Sequence, residues 1–175
     1  MIPYQIPVKF GLISAFVMII FTVIMYVLGI NMFSIAFSLI SAVLIFGLMI
    51  TITVIGVNKL RDEDLGKRIT YLQALLGGAI ILSISMYISS IFSYLLNGII
   101  DPEYLSNMAE DAIIKYEDMN LPEEQLNDIK LKFKEATDAT AAIIKSIWMS
   151  PLVAIILSAI IALFIKKDKT GEIPV

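Results

Sequence analysis

The sequence predicts an all-α membrane protein, with four transmembrane helices and an extracytoplasmic helical hairpin between the third and the fourth. Three observations predict it. Apolar residues make up 58% of the 175 and charged residues only 17%, against roughly 45–50% and about 25% in an ordinary soluble domain. The excess is gathered into uncharged blocks long enough to cross a hydrocarbon core of roughly 30 Å. Between the third and fourth blocks, residues 101–146 are instead charged, with apolar positions recurring at helical spacing.

The first span follows Lys9 and runs over about 10–30. A cleaved signal peptide fits less well, because the apolar run exceeds a normal h-region and no small-x-small site ends it. Gly29-Ile30-Asn31-Met32 reads as a tight turn into the second span, 33–57. A short polar loop then holds Lys59, Arg61, Asp62, Glu63, Asp64, Lys67 and Arg68. Its acidic run lacks the spacing and terminal glutamate of a calcium loop and reads as a solvated turn. The third span covers 70–100, more than one crossing needs, so a tilted helix or one projecting into the interface is expected.

Asp101-Pro102 is read as a cap and a first helical position. The hairpin's first helix then carries the seam Leu105, Met108, Ala112, Tyr116 and Met119. Asn120-Leu121-Pro122 turns the chain, and Glu123 and Glu124 stand in the first turn of a second helix. Its seam runs Leu126, Ile129, Phe133, Ala136, Thr140, Ile143 and Ile147, at alternating spacings of three and four. The fourth span, in the segment 147–175, ends at Lys166-Lys167-Asp168-Lys169. Pro151 either begins it or kinks one long helix continuing from the hairpin, and the long helix is the expectation. Trp148 suits an interfacial anchor.

Orientation follows from the basic residues of the short segments. With both termini in the cytoplasm, Lys9, the basic loop and the terminal lysines all stay inside, and the stretch 101–146, with eleven acids and five lysines, lies outside.

Composition excludes more than it assigns. The net charge is -3 and no basic stripe with interleaved aromatics occurs, so nucleic acid is not an expected partner. Absence of histidine and cysteine removes the commonest general base, metal ligand and thiolate nucleophile. No ionisable group falls within a span, which argues against a pump or ion-coupled carrier. No catalytic residue, cofactor or metal ligand is expected, and a carboxylate pair picked from eleven acids has no specificity.

Two stripes remain. Ser85, Ser89, Ser93 and Asn97 repeat every four residues in the third span, and Ala154, Ser158 and Ala162 do so in the fourth. Small and weakly polar residues mark touching helix faces in lipid, so packing is the simpler reading; a polar groove for a headgroup or ion is the alternative. Ala74 and Gly78 form another small pair.

The layout resembles a known family. Its marks are the lysine before the first span, the basic loop, Ile69-Thr70-Tyr71-Leu72-Gln73-Ala74 opening the third span, Ile100-Asp101-Pro102-Glu103 closing it, and the acidic segment before a lysine-ended last span. In these it is similar to domain of unknown function family 4199, small four-span inner-membrane proteins of Bacteroidota. The resemblance implies an inner-membrane location and carries no activity to any residue. The expected function is a non-enzymatic scaffold or accessory subunit, partnered by membrane lipid and by an envelope protein or a second copy. An oligomeric channel or lipid-handling protein is the alternative, and a partner of a membrane enzyme acting on lipid-linked substrates comes after it.

Overall fold

The computed structural model describes residues 2–119 and 121–166. The expected turn residue Asn120 and the lysine-rich end past Lys166 lie outside the described residues. Six helices follow in order: α1 (Gln5–Val27), α2 (Ile35–Lys59), α3 (Tyr71–Leu95), α4 (Tyr104–Glu117), α5 (Glu123–Thr137) and α6 (Ala139–Ile165). Wider π-helical turns extend α2 over Leu60–Asp64 and α3 over Leu96–Ile100.

Four stretches, Gln5–Val27, Phe37–Asp64, Tyr71–Ile100 and Ala139–Ile165, are long and apolar enough to cross a membrane. Only 28% of each one's most apolar window is buried inside the molecule. Helices this apolar and this open find their solvent in hydrocarbon, which also explains why every long element is a helix: its backbone groups bond within the segment. The arrangement is that of a multi-pass membrane protein.

Helix α3 is the centre of the bundle, packing most extensively on α6 and then on α1, while α2 leans on α1 and α3 and meets α6 only lightly. At the loop end Val57, Leu60, Ile69, Ile81, Ile161 and Ile165 form an aliphatic cluster. A smaller cluster of Met18, Met49, Leu82 and Ala154 lies along the bundle from it. Thr70 opens α3 with a capping box: its Oγ1 accepts from the Gln73 N–H (3.3 Å), and its own N–H donates to Gln73 Oε1 (3.0 Å).

Two local expectations are corrected. Asp101 does not cap the hairpin; α4 starts at Tyr104, and the Asp101 carboxylate instead accepts the Tyr26 hydroxyl at 3.0 Å. Nor is the second hairpin helix continuous with the last span, although α6 does begin within 101–146. Asp138 has an extended backbone (ψ 97), and its Oδ1 accepts the Ala141 N–H at 2.9 Å, so it ends α5 and starts α6. Beyond that break Thr140 and Ile147 of the projected seam are exposed.

Pro151 lies inside α6 rather than at its start. Proline has no N–H, so the Ile147 carbonyl four residues earlier loses its helical donor. The Tyr87 hydroxyl, reaching across from α3, donates to that carbonyl at 2.9 Å. A neighbouring helix thus makes good the bond that the proline removes.

Candidate functional site

The stripe on α6 meets α3 in an antiparallel register that steps by four residues. Ala162 shares a cluster with Ala74, Ser158 sits against Gly78, and Ala154 packs with Leu82. The Ser158 hydroxyl donates to the Leu75 carbonyl at 2.6 Å. A Cβ at Gly78 would collide with Ser158 Oγ, so this crossing depends on the missing side chain. Ala154, Ser158 and Ala162 are all fully buried. They form a helix contact.

The stripe on α3 divides. Ser85 is buried and bonds Ser14 of α1, oxygen to oxygen at 2.8 Å. Ser93 is exposed, and its carbonyl and hydroxyl accept from Asn97 Nδ2 at 2.9 and 3.1 Å. That carbonyl is the acceptor a regular α-helix would give to the Asn97 N–H, and the π-helical turn begins beside it at Leu96. Among the described residues, Ser89 Oγ and Asn97 Oδ1 are buried without a hydrogen-bond partner.

Around these residues the bundle holds a crevice of about 320 Å³. All four long helices line it: Met18 and Thr22 from α1, Met49 from α2, Ser85, Ser89 and Ser93 from α3, Ser146 and Ser150 from α6. A cavity of about 80 Å³ adjoins it through Ser90 and Ser93 and reaches Asn97, Leu105 and Ala136 under the hairpin. Unpaired buried oxygens are costly in a low-dielectric site. A crevice of this size and polarity has room for several waters or for the polar end of an amphiphile.

The hairpin is tied down over this end of the bundle. Besides Tyr26–Asp101, Asn31 Nδ2 donates to the Met108 carbonyl at 2.7 Å, and Asn31 Oδ1 accepts the Phe33 N–H, closing the α1–α2 turn. Gly29, with φ +61, supplies the left-handed step in that turn. Phe33 lies 4.7 Å from Phe133, ring to ring, and Tyr116 lies 5.8 Å from Phe133. Tyr26 meets Tyr104 edge-on at 4.7 Å. Burial, then the neighbouring Tyr26 and Asp101, hold the Tyr104 hydroxyl above the ordinary phenol range, and it has no hydrogen-bond partner among the described residues.

Along the seam, Met108 and Ala112 are buried, and Leu105, Tyr116, Leu126, Ile129 and Phe133 are half-buried. Ala136 and Met119 are exposed, and α5 has no buried residue at all. The seam is therefore closed on the α4 side and open on the α5 side.

The sequence profile of the family described as protein of unknown function (DUF4199) matches residues 9–167. The chain belongs to that family. No curated protein and no solved structure matches it.

In this DUF4199 member the two segments that carry the resemblance have structural work. Thr70 and Gln73 are the capping box of α3, Ile69 is buried in the loop-end cluster, and Asp101 anchors the hairpin to Tyr26. Other polar residues at this end stand outside the two stripes. Ser90 and Ser150 line the crevice, where Ser90 donates to Ser146 Oγ at 2.7 Å and Ser150 is buried, while Ser14 of α1 bonds Ser85 at its edge. Their trace in the sequence is faint: Ser146 and Ser150 are one turn apart, and Gly11 and Ala15, flanking Ser14, form a small pair on α1.

Proposed function

We propose that this DUF4199 chain is a non-enzymatic inner-membrane scaffold or accessory subunit. Its α4–α5 hairpin, on the extracytoplasmic side, offers a surface to another envelope protein. One observation carries this reading: the hairpin is fixed to the bundle through Tyr26, Asn31 and Phe33, while α5 buries none of its own residues. Ordering a helix pair has an entropic cost. An ordered pair that leaves Ile114, Met119 and Leu131 exposed suits an element that completes its burial against a partner. The charge distribution supports the orientation: Lys9, Lys59, Arg61, Lys67, Arg68 and Lys166 stand at the bundle end opposite the acidic hairpin, the side the positive-inside rule assigns to the cytoplasm.

The test is a photocrosslinker at Leu131, with reporter fusions at Met119 and after Val175. One discrete heteromeric adduct, lost in Glu124→Lys or Lys132→Glu variants that remain folded, is the expected result. Adducts to the protein itself alone, or reporters active on the same side, would remove the basis of the reading.

A second reading, handling of an amphiphile or conduction through an oligomer, is favoured by the unpartnered Ser89 Oγ in the crevice and Asn97 Oδ1 in the adjoining cavity. Leucine at Ser85, Ser89 and Ser93 separates the two. Lost lipid binding or flux in a folded protein supports the crevice as a site, whereas loss of folding marks it as packing.

A further inference from the structure

We infer that the groove between α2 and α6 at the loop end binds one diacyl phospholipid with an anionic headgroup. The inference is independent of the hairpin and of the crevice. Because α2 meets α6 only lightly, the two helices part over a groove of about 590 Å³. Its walls are apolar, with Ile50 and Val54 on one side and Leu157 and Phe164 on the other. Its mouth is polar and cationic, formed by Asn58, Arg61 and Lys166.

Two quantities select the occupant. From Ile50 to Arg61 the chain rises about 16 Å at 1.5 Å per residue, close to one leaflet's share, about 15 Å, of the hydrocarbon core. An acyl chain lying along the walls therefore brings its glycerol and phosphate level with Asn58, Arg61 and Lys166. The charge at that level is complementary. Arg61 gives Nε and Nη2 to Asp62, at 2.7 and 3.0 Å, so among the described residues the mouth presents two cations against one carboxylate. The nearby Lys59 is occupied separately by Glu63, at 3.3 Å. A phosphodiester with a second anionic or hydroxyl-bearing headgroup matches the remaining charge and the Asn58 amide. A zwitterionic choline headgroup would put its own cation beside Lys166. Basic pockets between transmembrane helices recognise acidic lipids on this principle.

The test uses the full chain purified in a neutral detergent and titrated with phosphatidylglycerol, phosphatidylcholine or inorganic phosphate, with bound mass read by native mass spectrometry. One phosphatidylglycerol should be retained at detergent concentrations that strip phosphatidylcholine. At about fivefold per cation near the membrane surface, Arg61→Gln with Lys166→Gln should weaken that retention about 25-fold. Val54→Trp, which fills the groove without changing charge, should lose both lipids. Lys132→Gln with Lys134→Gln, on the hairpin, should bind as the parent does. Lys166, Lys132 and Lys134 are exposed, whereas the Arg61 side chain is 15% exposed and bonded to Asp62, so the Arg61/Lys166 variant is read only with its thermal melt matched to the parent's. Equal retention of the two lipids by the parent protein would overturn the inference. So would unchanged retention in the Arg61/Lys166 variant, or displacement of the lipid by inorganic phosphate at equal concentration.

Discussion

The bond from Tyr87 to the Ile147 carbonyl makes a claim about membrane backbones that a mutant cycle can decide. Tyr87→Phe keeps the ring and removes the donor. The Ile147 carbonyl has then lost the side-chain donor as well as the helical one that Pro151 lacks. The bond lies at the exposed face of the α3–α6 contact, and interhelical hydrogen bonds measured in membranes, which average about 0.6 with a maximum of about 1.7 kcal/mol, set its scale. A loss of about 1 kcal/mol is expected, or a fall in Tm of about 2–4 °C for a chain of this size. In a Pro151→Ala background residue 151 regains its N–H and bonds Ile147 along the helix, so Tyr87→Phe should cost less than about 0.3 kcal/mol there. The assay is equilibrium unfolding in mixed micelles for the four members of the cycle. A coupling energy near zero, with Tyr87→Phe equally costly in both backgrounds, would refute the claim that the hydroxyl stands in for the missing N–H.

Three further outcomes are expected. Gly78→Ala drives a methyl onto Ser158 and should destabilise by about 1–3 kcal/mol, whereas Gly47→Ala, with nothing within 4 Å, should gain about 0.5–1 kcal/mol of helix propensity; equal melting temperatures for the two would contradict the α3–α6 contact. A double-mutant cycle of Ser14→Ala and Ser85→Ala should show a coupling of about 0.6 kcal/mol, and strict additivity in thermal melts would remove their bond from the account. Tyr104→Phe deletes a buried hydroxyl with no partner, so it should leave stability unchanged or raise it by about 1 kcal/mol. The pH sign is definite: with its folded pKa raised above 10.0, Tyr104 adds a loss of stability as pH climbs past 10.0, and melts of Tyr104→Phe should show a smaller decline there than the parent.

What could be read from the sequence followed from where each signal resides. The four spans are written in local runs of uncharged residues, so they emerge from hydropathy and length alone. The stripe Ala154, Ser158 and Ala162 was equally legible, because a helix contact in lipid selects small residues at a fixed spacing. Asp138 was hidden by the same periodicity that revealed the hairpin. Apolar positions continue at intervals of three and four from Leu126 to Ile147, and a periodic pattern passes over a single capping residue. Asp101 misled for a different reason. Aspartate before proline has the chemistry of a cap, yet the carboxylate has a competing donor in Tyr26, 75 residues away in sequence. Ser90–Ser146 and Tyr87–Ile147 are invisible on similar grounds, since each joins helices whose register is known only after folding.

The two ends of the bundle are built on different principles. At the loop end large aliphatic side chains interlock, and Gly77 and Gly78 let α3 approach Leu60 and Ser158 closely, which seals that half by dispersion and shape. Toward the hairpin the contacts between helices become hydroxyl pairs, Ser14–Ser85 and Ser90–Ser146, with a crevice among them that holds the unpaired Ser89 Oγ and an adjoining cavity that holds Asn97 Oδ1. Hydroxyl pairs hold helices together weakly in lipid, so that half depends on its roof. The ties from Tyr26, Asn31 and Phe33 to the hairpin bridge α1 and the α1–α2 turn to α4 and α5, at the same end as the crevice. Under the proposed reading, a partner bound at α5 would bear on the less tightly packed half of the membrane domain, and an occupant of the crevice would bear on the hairpin. The sealed half, with α3 capped by Thr70 and Gln73, stays the fixed frame for both.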